Sequence, residues 1–489
     1  MLSILLLVPI IGSIIVLIIP EDTIDNQRKM KKIALLTSVI NFFISIYLWI
    51  QFDSNTSHYQ FVYEFDQISF CHFNIGVDGL SLYFVLLTTF VTPIALLSNY
   101  TNVPGLPQAA NIKYFLISFL LLETLQIACF VSLDLILFYV FFESVLPILY
   151  ILLLVYGHGS DRERSALYLF LYTLAGSLPM LLAILQIYSY VGSTDFQLIS
   201  LNEINFDSQK WLWIAFFIAF AVKTPLYPFS IWLPKAHADS PLGGSIILAA
   251  TILKLATYGM ARILINFLPD ATNYFSPLVE TIAVISIIYA SLSTIIQEDT
   301  KKLIAYSSVA HMGVVVLGLF SNTIQGIEGA MLLALAHGFV SPALFICVGG
   351  VIYDRTETRN IAYLRGLVTY MPLFTIMFFI FILCNTGIPL SLNFLGEQLS
   401  LIGIWENNPL VAVAGASGIV LSATYSIFQY NRISYGSYSP NLLPLKDITR
   451  KEFFLLLCLL LPTISLGIAP NKILETLHSA ISRLLYSLE

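Results

Sequence analysis

The feature that most constrains this chain is a lysine inside an apolar stretch that two prolines interrupt. Lys223 lies about a dozen residues into the apolar run 211–233, roughly 18 Å along a helix. Pro225 and Pro228 each remove a backbone donor and clash with the preceding turn, so a continuous helix is not expected. At membrane depth, broken helices occur where protein covers the freed backbone or where it lines a wet cavity. The stretch therefore predicts a hydrated path beside Lys223, with a lysine that snorkels to the interface as the alternative.

The composition is that of a polytopic membrane protein. Of the 489 residues, 57% are hydrophobic and 11% are charged, whereas soluble domains are about 25% charged. Apolar windows of about twenty residues predict an all-α fold with about fourteen transmembrane helices. The predicted spans are 2–19, 33–50, 79–98, 114–132, 134–155, 166–190, 211–233, 243–267, 278–296, 303–320, 329–352, 371–404, 409–428 and 453–468.

The basic residues predict how these spans are oriented. Seventeen Lys and Arg residues lie on the connections that follow odd-numbered spans, and three lie on the opposite side, namely Lys210, Lys472 and Arg483. Lys and Arg accumulate in the connections on the inner side of a membrane, which are not translocated across it. Both termini lie opposite the Lys- and Arg-rich connections, so they are expected on the outer, positive side of an energy-coupling membrane.

Three peripheral features are predicted outside the spans. Alternating side chains at 61–65 indicate a short strand, half of a hairpin between spans two and three. Asp78 precedes span three and is expected to be a helix-start anion. The tail places apolar residues at helical spacing, which predicts an amphipathic helix on the membrane surface or against a partner. These residues are Ile473, Leu474, Leu477, Ile481, Leu484 and Leu485.

Span twelve repeats the pattern of span seven. The segment Thr386-Gly387-Ile388-Pro389 interrupts an apolar run that is too long for one straight crossing. Two broken spans, each with an ionisable residue and five spans apart, predict two five-helix repeats of opposite orientation. The expected organisation is an N-terminal three-helix segment at 1–113, a first repeat at 114–267, a second repeat at 278–428, and a last transmembrane helix with an amphipathic helix at 429–489. When the first repeat is aligned with the second, Lys223 takes the same position as Glu397.

Among the ionisable residues predicted inside the membrane, five form a set that alternates acids and bases, namely Glu143, Lys223, Lys254, His337 and Glu397. A charged side chain there costs about 2.5 to 3.5 kcal/mol, so each calls for a partner or a function. If Glu143 pairs with Lys223, then moving or neutralising the acid would make Lys223 release its proton, which is a switchable proton site. The alternative is that these residues only link helices, through contacts worth about 0.6 kcal/mol each.

Further polar residues are candidates for the same path. His311 and His337 lie near serines and fit a water-filled relay, although an intramembrane histidine can also bond a neighbouring helix. His237 and Asp239 follow span seven and are expected to feed protons to Lys223 from the inner side. Glu123 belongs either to the Glu143 site or to a surface facing a neighbouring subunit.

The chain has no sequence motif for a redox or nucleotide cofactor. It lacks GxGxxG after a strand and GxxxxGK[ST], and its five cysteines show no CxxC or Cys/His spacing. We therefore expect no cofactor or metal in this chain and place any redox or ATP chemistry elsewhere.

Four segments resemble the antiporter-like membrane subunits shared by respiratory complex I and the multisubunit sodium/proton antiporters. These segments are FFESVLPILY, VKTPLYPFSIWLPKAHADSP, DTKKLIAYSSVAHMG and AHGFVSPALFICVGG. The resemblance covers roughly residues 75–430. It implies fourteen helices with inverted repeats and a proton path, whose roles fall here on Glu143, Lys223, Lys254, His311, His337 and Glu397.

The resemblance also implies partners and a location. It implies a proton-translocating subunit of NADH:ubiquinone reductase, with NADH, FMN, iron–sulfur clusters and ubiquinone in partner subunits. Expected partners are other membrane-arm subunits, including sister antiporter-like subunits, and lipids, but no nucleic acid. The lack of a cleavable presequence and the many Phe and Tyr residues fit the mitochondrial inner membrane, with a bacterial plasma membrane as the alternative.

Two other functions stay open at this point. One is a sodium/proton antiporter subunit of the same fold, against which Glu397 argues, because sister subunits in the family usually carry lysine there. The other is a structural subunit that spaces pumping modules.

Overall fold

A computed structural model describes residues 1–64, 73–99, 112–159, 161–440 and 442–486, and the chain in these ranges is almost entirely helical. Phe65 and Cys71 lie outside the described residues. The α-helices are α1 Leu2–Ile18, α2 Ile24–Gln51, α3 Gly79–Ser98, α4 Ile112–Val131, α5 Leu135–Tyr156, α6 Arg162–Val191, α7 Phe196–Ser200, α8 Phe206–Lys223, α9 Trp232–Asp239, α10 Leu242–Ile247, α11 Leu253–Gly259, α12 Pro269–Ile296, α13 Thr300–Leu319, α14 Ile324–Phe345, α15 Tyr353–Thr356, α16 Pro372–Asn385, α17 Leu392–Asn407, α18 Pro409–Ser434, α19 Arg450–Ile468 and α20 Asn471–Tyr486. The strands are β1 Gln60–Tyr63 and β2 Ile75–Val77.

The described helices are those of a multi-pass membrane protein. Eleven are long and apolar enough to cross a bilayer, and α1 and α16 are shorter apolar helices. Two of the eleven are continuous through π-helical turns, at Leu242–Ile265 and Ile324–Thr356, and the most apolar 18-residue window of each is entirely buried. The all-α membrane fold is thus confirmed, while the count of fourteen spans stays a prediction.

Both predicted helix breaks are present. The helix α8 ends at Lys223, and an irregular segment with a 3₁₀ turn at Phe229–Ile231 precedes α9. The helix α16 ends at Asn385, and α17 begins only at Leu392. In each break the prolines remove donors that a continuous helix needs, so the chain leaves helical geometry where the sequence predicts.

Connections between helices meet at two opposite ends of the bundle. At one end, which we call the basic face, His158 N donates to Asp239 O at 2.7 Å and Thr300 N donates to Arg359 O at 2.9 Å. The other end, the terminal face, carries the N-terminus, the β-strands and α20. There Leu135 N donates to Thr194 O at 2.9 Å. The side of the membrane that each face adjoins stays a prediction.

The segment before α3 forms a small β-ladder that ends in a helix cap. Strands β1 and β2 pair antiparallel, which confirms the predicted hairpin. Asp78 Oδ1 accepts from Ser81 N at 3.1 Å, and Ser81 Oγ accepts from Asp78 N at 3.0 Å. Asp78 is therefore the helix-start anion that the sequence predicts.

The tail forms the predicted amphipathic helix, but the surface it covers belongs to this chain. The apolar side of α20, with Ile473, Leu477 and Ile481, is buried. Tyr83 of α3 lies 3.0 Å from Thr476 Oγ1 through its hydroxyl group, and Glu328 of α14 lies 2.8 Å from His478 Nδ1. The expectation that α20 lies on the membrane surface or on a partner is therefore wrong, because α3 and α14 supply the apolar surface that it needs.

Candidate functional site

Lys223 is buried at the C-terminal end of α8, with 5% of its surface exposed. Its Nζ donates to Phe142 O at 2.6 Å and lies 3.2 Å from the centroid of the Phe142 ring. Across the break, Trp232 Nε1 donates to Val222 O at 2.8 Å, which satisfies a carbonyl that the end of α8 frees. Protein therefore covers the start of the break, whereas Tyr227 and Pro228 further along it are exposed. The snorkelling alternative for Lys223 is excluded by its burial.

Glu143 lies beside this lysine without forming an ion pair with it. Its side chain is half-buried on α5 and lies next to the Ser177 hydroxyl group, within electrostatic range of Lys223. Among the described residues, no nitrogen of Lys223 comes within 4.0 Å of the Glu143 carboxylate. The ammonium group bonds instead to the carbonyl of Phe142, the residue before Glu143. The predicted direct pair is thus absent in this conformation, although the two charges are neighbours.

Lys254 lies at the centre of the molecule and is completely buried. It belongs to α11, which two π-helical turns flank at Leu248–Ile252 and Met260–Ile265. Its Nζ donates to Ala249 O at 2.5 Å and lies 2.8 Å from His337 Nδ1. Such widened turns are frequent at functional sites because they release carbonyl groups and re-aim side chains. Lys254 therefore has a hydrogen-bonded titratable partner on another helix, α14.

Two histidines and a glutamate extend this contact. The rings of His337 and His311 have centroids 5.9 Å apart, and His311 Nδ1 lies 3.2 Å from Glu397 Oε1. All three side chains are at most 4% exposed. The result is a continuous chain of titratable groups, Lys254–His337–His311–Glu397, which we call the central chain. It joins α11, α14, α13 and α17.

The second helix break positions the end of the central chain. Gly387 has φ +70°, a left-handed conformation that suits glycine. A Cβ atom at this position would lie 2.6 Å from Glu397 Oε2. The backbone of the break therefore packs directly against the carboxylate, and only glycine leaves room for it.

His237 and Asp239 lie in α9 on the basic-face side of Lys223. His237 is fully buried, stacks on Phe345 with centroids 4.5 Å apart, and lies within electrostatic range of Lys254. Neither of its ring nitrogens has a hydrogen-bond partner in the described part of the chain. Asp239 Oδ2 accepts from Ser165 Oγ at 2.5 Å. These positions fit an uptake route from the basic face.

A polar cavity opens beside Asp239 at the basic face. Its volume is about 240 Å³. Side chains of both charges line it, including Arg164, Ser165, Lys235, Asp239, Lys302 and Arg359. A cavity of this size and polarity holds water, since polar partners surround the space.

Two further cations are buried, and the sequence predicts only Arg262 to lie inside a span. Lys301 lies on a predicted connection, yet it is 4% exposed and donates to Ser240 O at 2.6 Å. Arg262 forms a buried ion pair with Asp78 at 2.5 Å. A signal for Arg262 exists in the sequence, because it lies eight residues after Lys254 and therefore near the same helical face. No local pattern reveals the burial of Lys301, since it depends on the packing of α9.

Glu123 lies on α4 against α2, and its expected place in the Glu143 site stays a prediction. It is 1% exposed on α4, so it does not face a neighbouring subunit, and its Oε1 accepts from Asn41 Nδ2 of α2 at 2.7 Å. In the described residues, no three His, Cys, Asp or Glu side chains are grouped so as to hold a metal ion.

The chain resembles proteins of one family over its whole length. Residues 132–422 match the model of the transmembrane family NADH:quinone oxidoreductase/Mrp antiporter. NADH-ubiquinone oxidoreductase chain 4 of Mycosarcoma maydis is 60% identical over 487 residues, with 100% of both chains covered. The protein of that name from Marchantia polymorpha is 46% identical, with 99% of this chain and 96% of the relative covered.

A solved structure shows the same fold. A chain of respiratory complex I from Thermus thermophilus with bound NADH superimposes with a TM-score of 0.88 at 27% identity, covering 99% of this chain and 100% of that chain. A chain of the membrane-bound sulfane sulfur reductase, an archaeal respiratory membrane complex, superimposes with a TM-score of 0.85 at 22% identity and shares the fold, covering 97% of this chain and 77% of that chain.

Proposed function

The chain belongs to the NADH:quinone oxidoreductase/Mrp antiporter family, and we propose that it is a proton-translocating membrane-arm subunit of NADH:ubiquinone oxidoreductase. The observation that carries this proposal is the central chain, because its four titratable side chains follow one another inside an apolar bundle. Lys254 lies 2.8 Å from His337 and His311 lies 3.2 Å from Glu397, and the two imidazole rings between them have centroids 5.9 Å apart. Groups that only linked helices would need no such continuity, and each would be costly to bury.

Protons move along the central chain by exchange between neighbouring groups. The Lys254 ammonium gives a proton to the free Nδ1 of His337, which leaves a neutral amine and an imidazolium. His337 passes a proton to His311, through a bridging water where the rings are too far apart for direct contact. His311 then gives a proton to the Glu397 carboxylate, whose Oε1 lies 3.2 Å away. From Glu397 the proton leaves to the positive side.

The other half of the path loads protons from the negative side. Water in the basic-face cavity delivers protons past Asp239 and His237 to Lys223. The Glu143 carboxylate stabilises the protonated form of Lys223 when the two side chains approach. When Glu143 moves away or is neutralised, Lys223 loses this stabilisation and releases its proton. Lys254 then receives the charge along the membrane plane. The loading site at Lys223 belongs to the five-helix repeat 114–267, and the release site at Glu397 belongs to the repeat 278–428. Each site lies beside the helix break of its repeat.

The energy for this transport comes from partner subunits. Moving one charge against 100 mV costs about 2.3 kcal/mol. In this proposal NADH, FMN, iron–sulfur clusters and ubiquinone bind in other subunits of the complex, where the redox chemistry takes place. Sister antiporter-like subunits and lipids adjoin the chain in the mitochondrial inner membrane. The relatives from Mycosarcoma maydis and Marchantia polymorpha are both named as chain 4 of NADH-ubiquinone oxidoreductase.

The test uses Glu143→Gln in membrane vesicles that contain the assembled complex. NADH-driven quinone reduction and proton uptake are measured side by side, with NADH oxidation by an artificial acceptor as the assembly check. We expect quinone reduction and proton uptake to fall together while the artificial-acceptor rate persists. The matched control is Glu163→Gln, an exposed acid in the first turn of α6, which should change neither.

Two results would contradict the proposal. If both rates persist at the wild-type ratio in Glu143→Gln, Glu143 has a structural role only. If vesicles exchange sodium for protons without NADH, the chain works as an antiporter subunit instead.

A further inference from the structure

Glu123 is a buried acid that the proposed path does not use. It lies on α4 against Asn41 of α2, and in the described residues no Lys, Arg or His lies within 4.0 Å of its carboxylate. An ionised carboxylate without a cation is too costly in such surroundings. The acid is therefore expected to carry a proton in the resting protein.

The hydrogen bonds around Glu123 lack one donor. Asn41 Nδ2 donates to Glu123 Oε1, whereas Glu123 Oε2 and Asn41 Oδ1 are both buried acceptors without a partner in the part of the chain that the structure describes. A proton on Oε2 turns this oxygen into a donor, and an acid and an amide can then pair through two hydrogen bonds. The neutral acid thus satisfies an arrangement that the carboxylate leaves unsatisfied.

A second buried amide lies one helical turn from this acid and contacts the helix that carries Lys254. Gln126 follows Glu123 by one helical turn on α4, and its Oε1 accepts from Thr251 Oγ1 at 2.8 Å. Thr251 precedes Lys254 by three residues, also within one turn. The Gln126 Nε2 atom is buried and has no partner among the described residues, so it is free to hold a water between the two sites.

We propose that Glu123, Asn41, Gln126 and Thr251 form a proton-storage site that exchanges with Lys254. When Lys254 is a neutral amine, the Glu123 carboxylic acid releases its proton through a bound water, which leaves a carboxylate and an ammonium. The reverse step reloads Glu123 when Lys254 is recharged from Lys223. The inference rests on the role of Lys254 in the proposed function.

The test is infrared difference spectroscopy of the assembled complex in membranes, at rest and during NADH turnover. The wild type should show the carbonyl band of a protonated carboxylic acid, and this band should weaken during turnover. Glu123→Gln should abolish the band, whereas Glu280→Gln, which removes another buried acid bonded to an asparagine, should leave it in place. Gln126→Met should keep the resting band but abolish its change on turnover.

Three outcomes would overturn the proposal. They are a band that Glu123→Gln leaves intact, a band that does not change on turnover, and a turnover change that persists in Gln126→Met. If Glu123→Gln fails to assemble, Glu123→Asp decides the assignment, because it must shift the band. Proton pumping that is unaffected by Glu143→Gln would refute the proposed function alone, since the resting band of Glu123 does not depend on it.

Discussion

The substitution Gly387→Ala should uncouple proton transport, because it displaces Glu397 while every titratable residue is kept. The new Cβ atom would lie 2.6 Å from Glu397 Oε2, and ordinary contact begins at 3.4 Å, so the oxygen must retreat by about 0.8 Å. Glu397 Oε1 already lies 3.2 Å from His311 Nδ1, and little displacement is needed to lose that hydrogen bond. A hydrogen bond to a charged group is worth about 1.5–3 kcal/mol, so occupancy of the connected state should fall about 10- to 150-fold.

The control for Gly387→Ala is Gly192→Ala. Gly192 has φ +78°, similar to Gly387, and no atom lies within 4 Å of its ideal Cβ position. Both substitutions therefore carry the left-handed strain of about 1–2 kcal/mol, but only one displaces Glu397. Proton uptake per NADH oxidised in membrane vesicles should fall in Gly387→Ala and stay normal in Gly192→Ala. Equal behaviour of the two variants would refute the reasoning, because backbone strain alone would then explain the effect.

Three further predictions concern stability. Asp78→Asn keeps a helix cap but leaves Arg262 as an unpaired buried cation, so it should lower the stability of the assembled complex by about 3–5 kcal/mol. The control is Asp134→Asn, because Asp134 caps α5 without an ion pair among the described residues. In a thermal melt the control variant should lose less stability than Asp78→Asn. Burial, with nearby cations, lowers the pKa of His158 from 6.5 to about 4. Between pH 6.5 and pH 4 the unfolded chain therefore binds a proton more readily than the folded chain, and stability should fall as the pH drops through this range. Replacing this histidine by Asn should flatten the pH dependence of the melting temperature in that range, and an unchanged profile would contradict the assignment. Trp232→Phe removes the indole N–H that satisfies a carbonyl at the first break and should cost about 1–3 kcal/mol; a loss below this range would show that water replaces the bond.

The sequence predicted the parts of the fold that depend on local chemistry. Apolar length located the spans, and prolines located both breaks, because each effect acts within a few residues of its cause. The cap at Asp78 and the helix at α20 follow from equally local patterns. The surface under α20 was missed, since it is formed by α3 and α14, hundreds of residues away in the chain.

The candidate site was predictable in its residues but not in its contacts. An ionisable side chain in an apolar run is conspicuous, which singled out Lys254, His337 and Glu397. Their contacts depend on π-helical turns and on the packing of helices distant in sequence, neither of which a residue pattern specifies. The expected ion pair between Glu143 and Lys223 shows the limit, because helical spacing gives depth but not the direction of a side chain.

The central claim is that protons pass through the central chain, and Glu397→Gln tests it most directly. This substitution keeps the shape of the side chain and its hydrogen bonding to His311 but removes the titratable group. The matched control is Glu328→Gln, which alters another acid–histidine pair, with His478 at 2.8 Å, outside the central chain. The measurement is the number of protons taken up per NADH oxidised by the assembled complex in vesicles. The account predicts a lower ratio or a joint loss of quinone reduction and uptake in Glu397→Gln, with Glu328→Gln unchanged. A wild-type ratio at a wild-type rate in Glu397→Gln would contradict it.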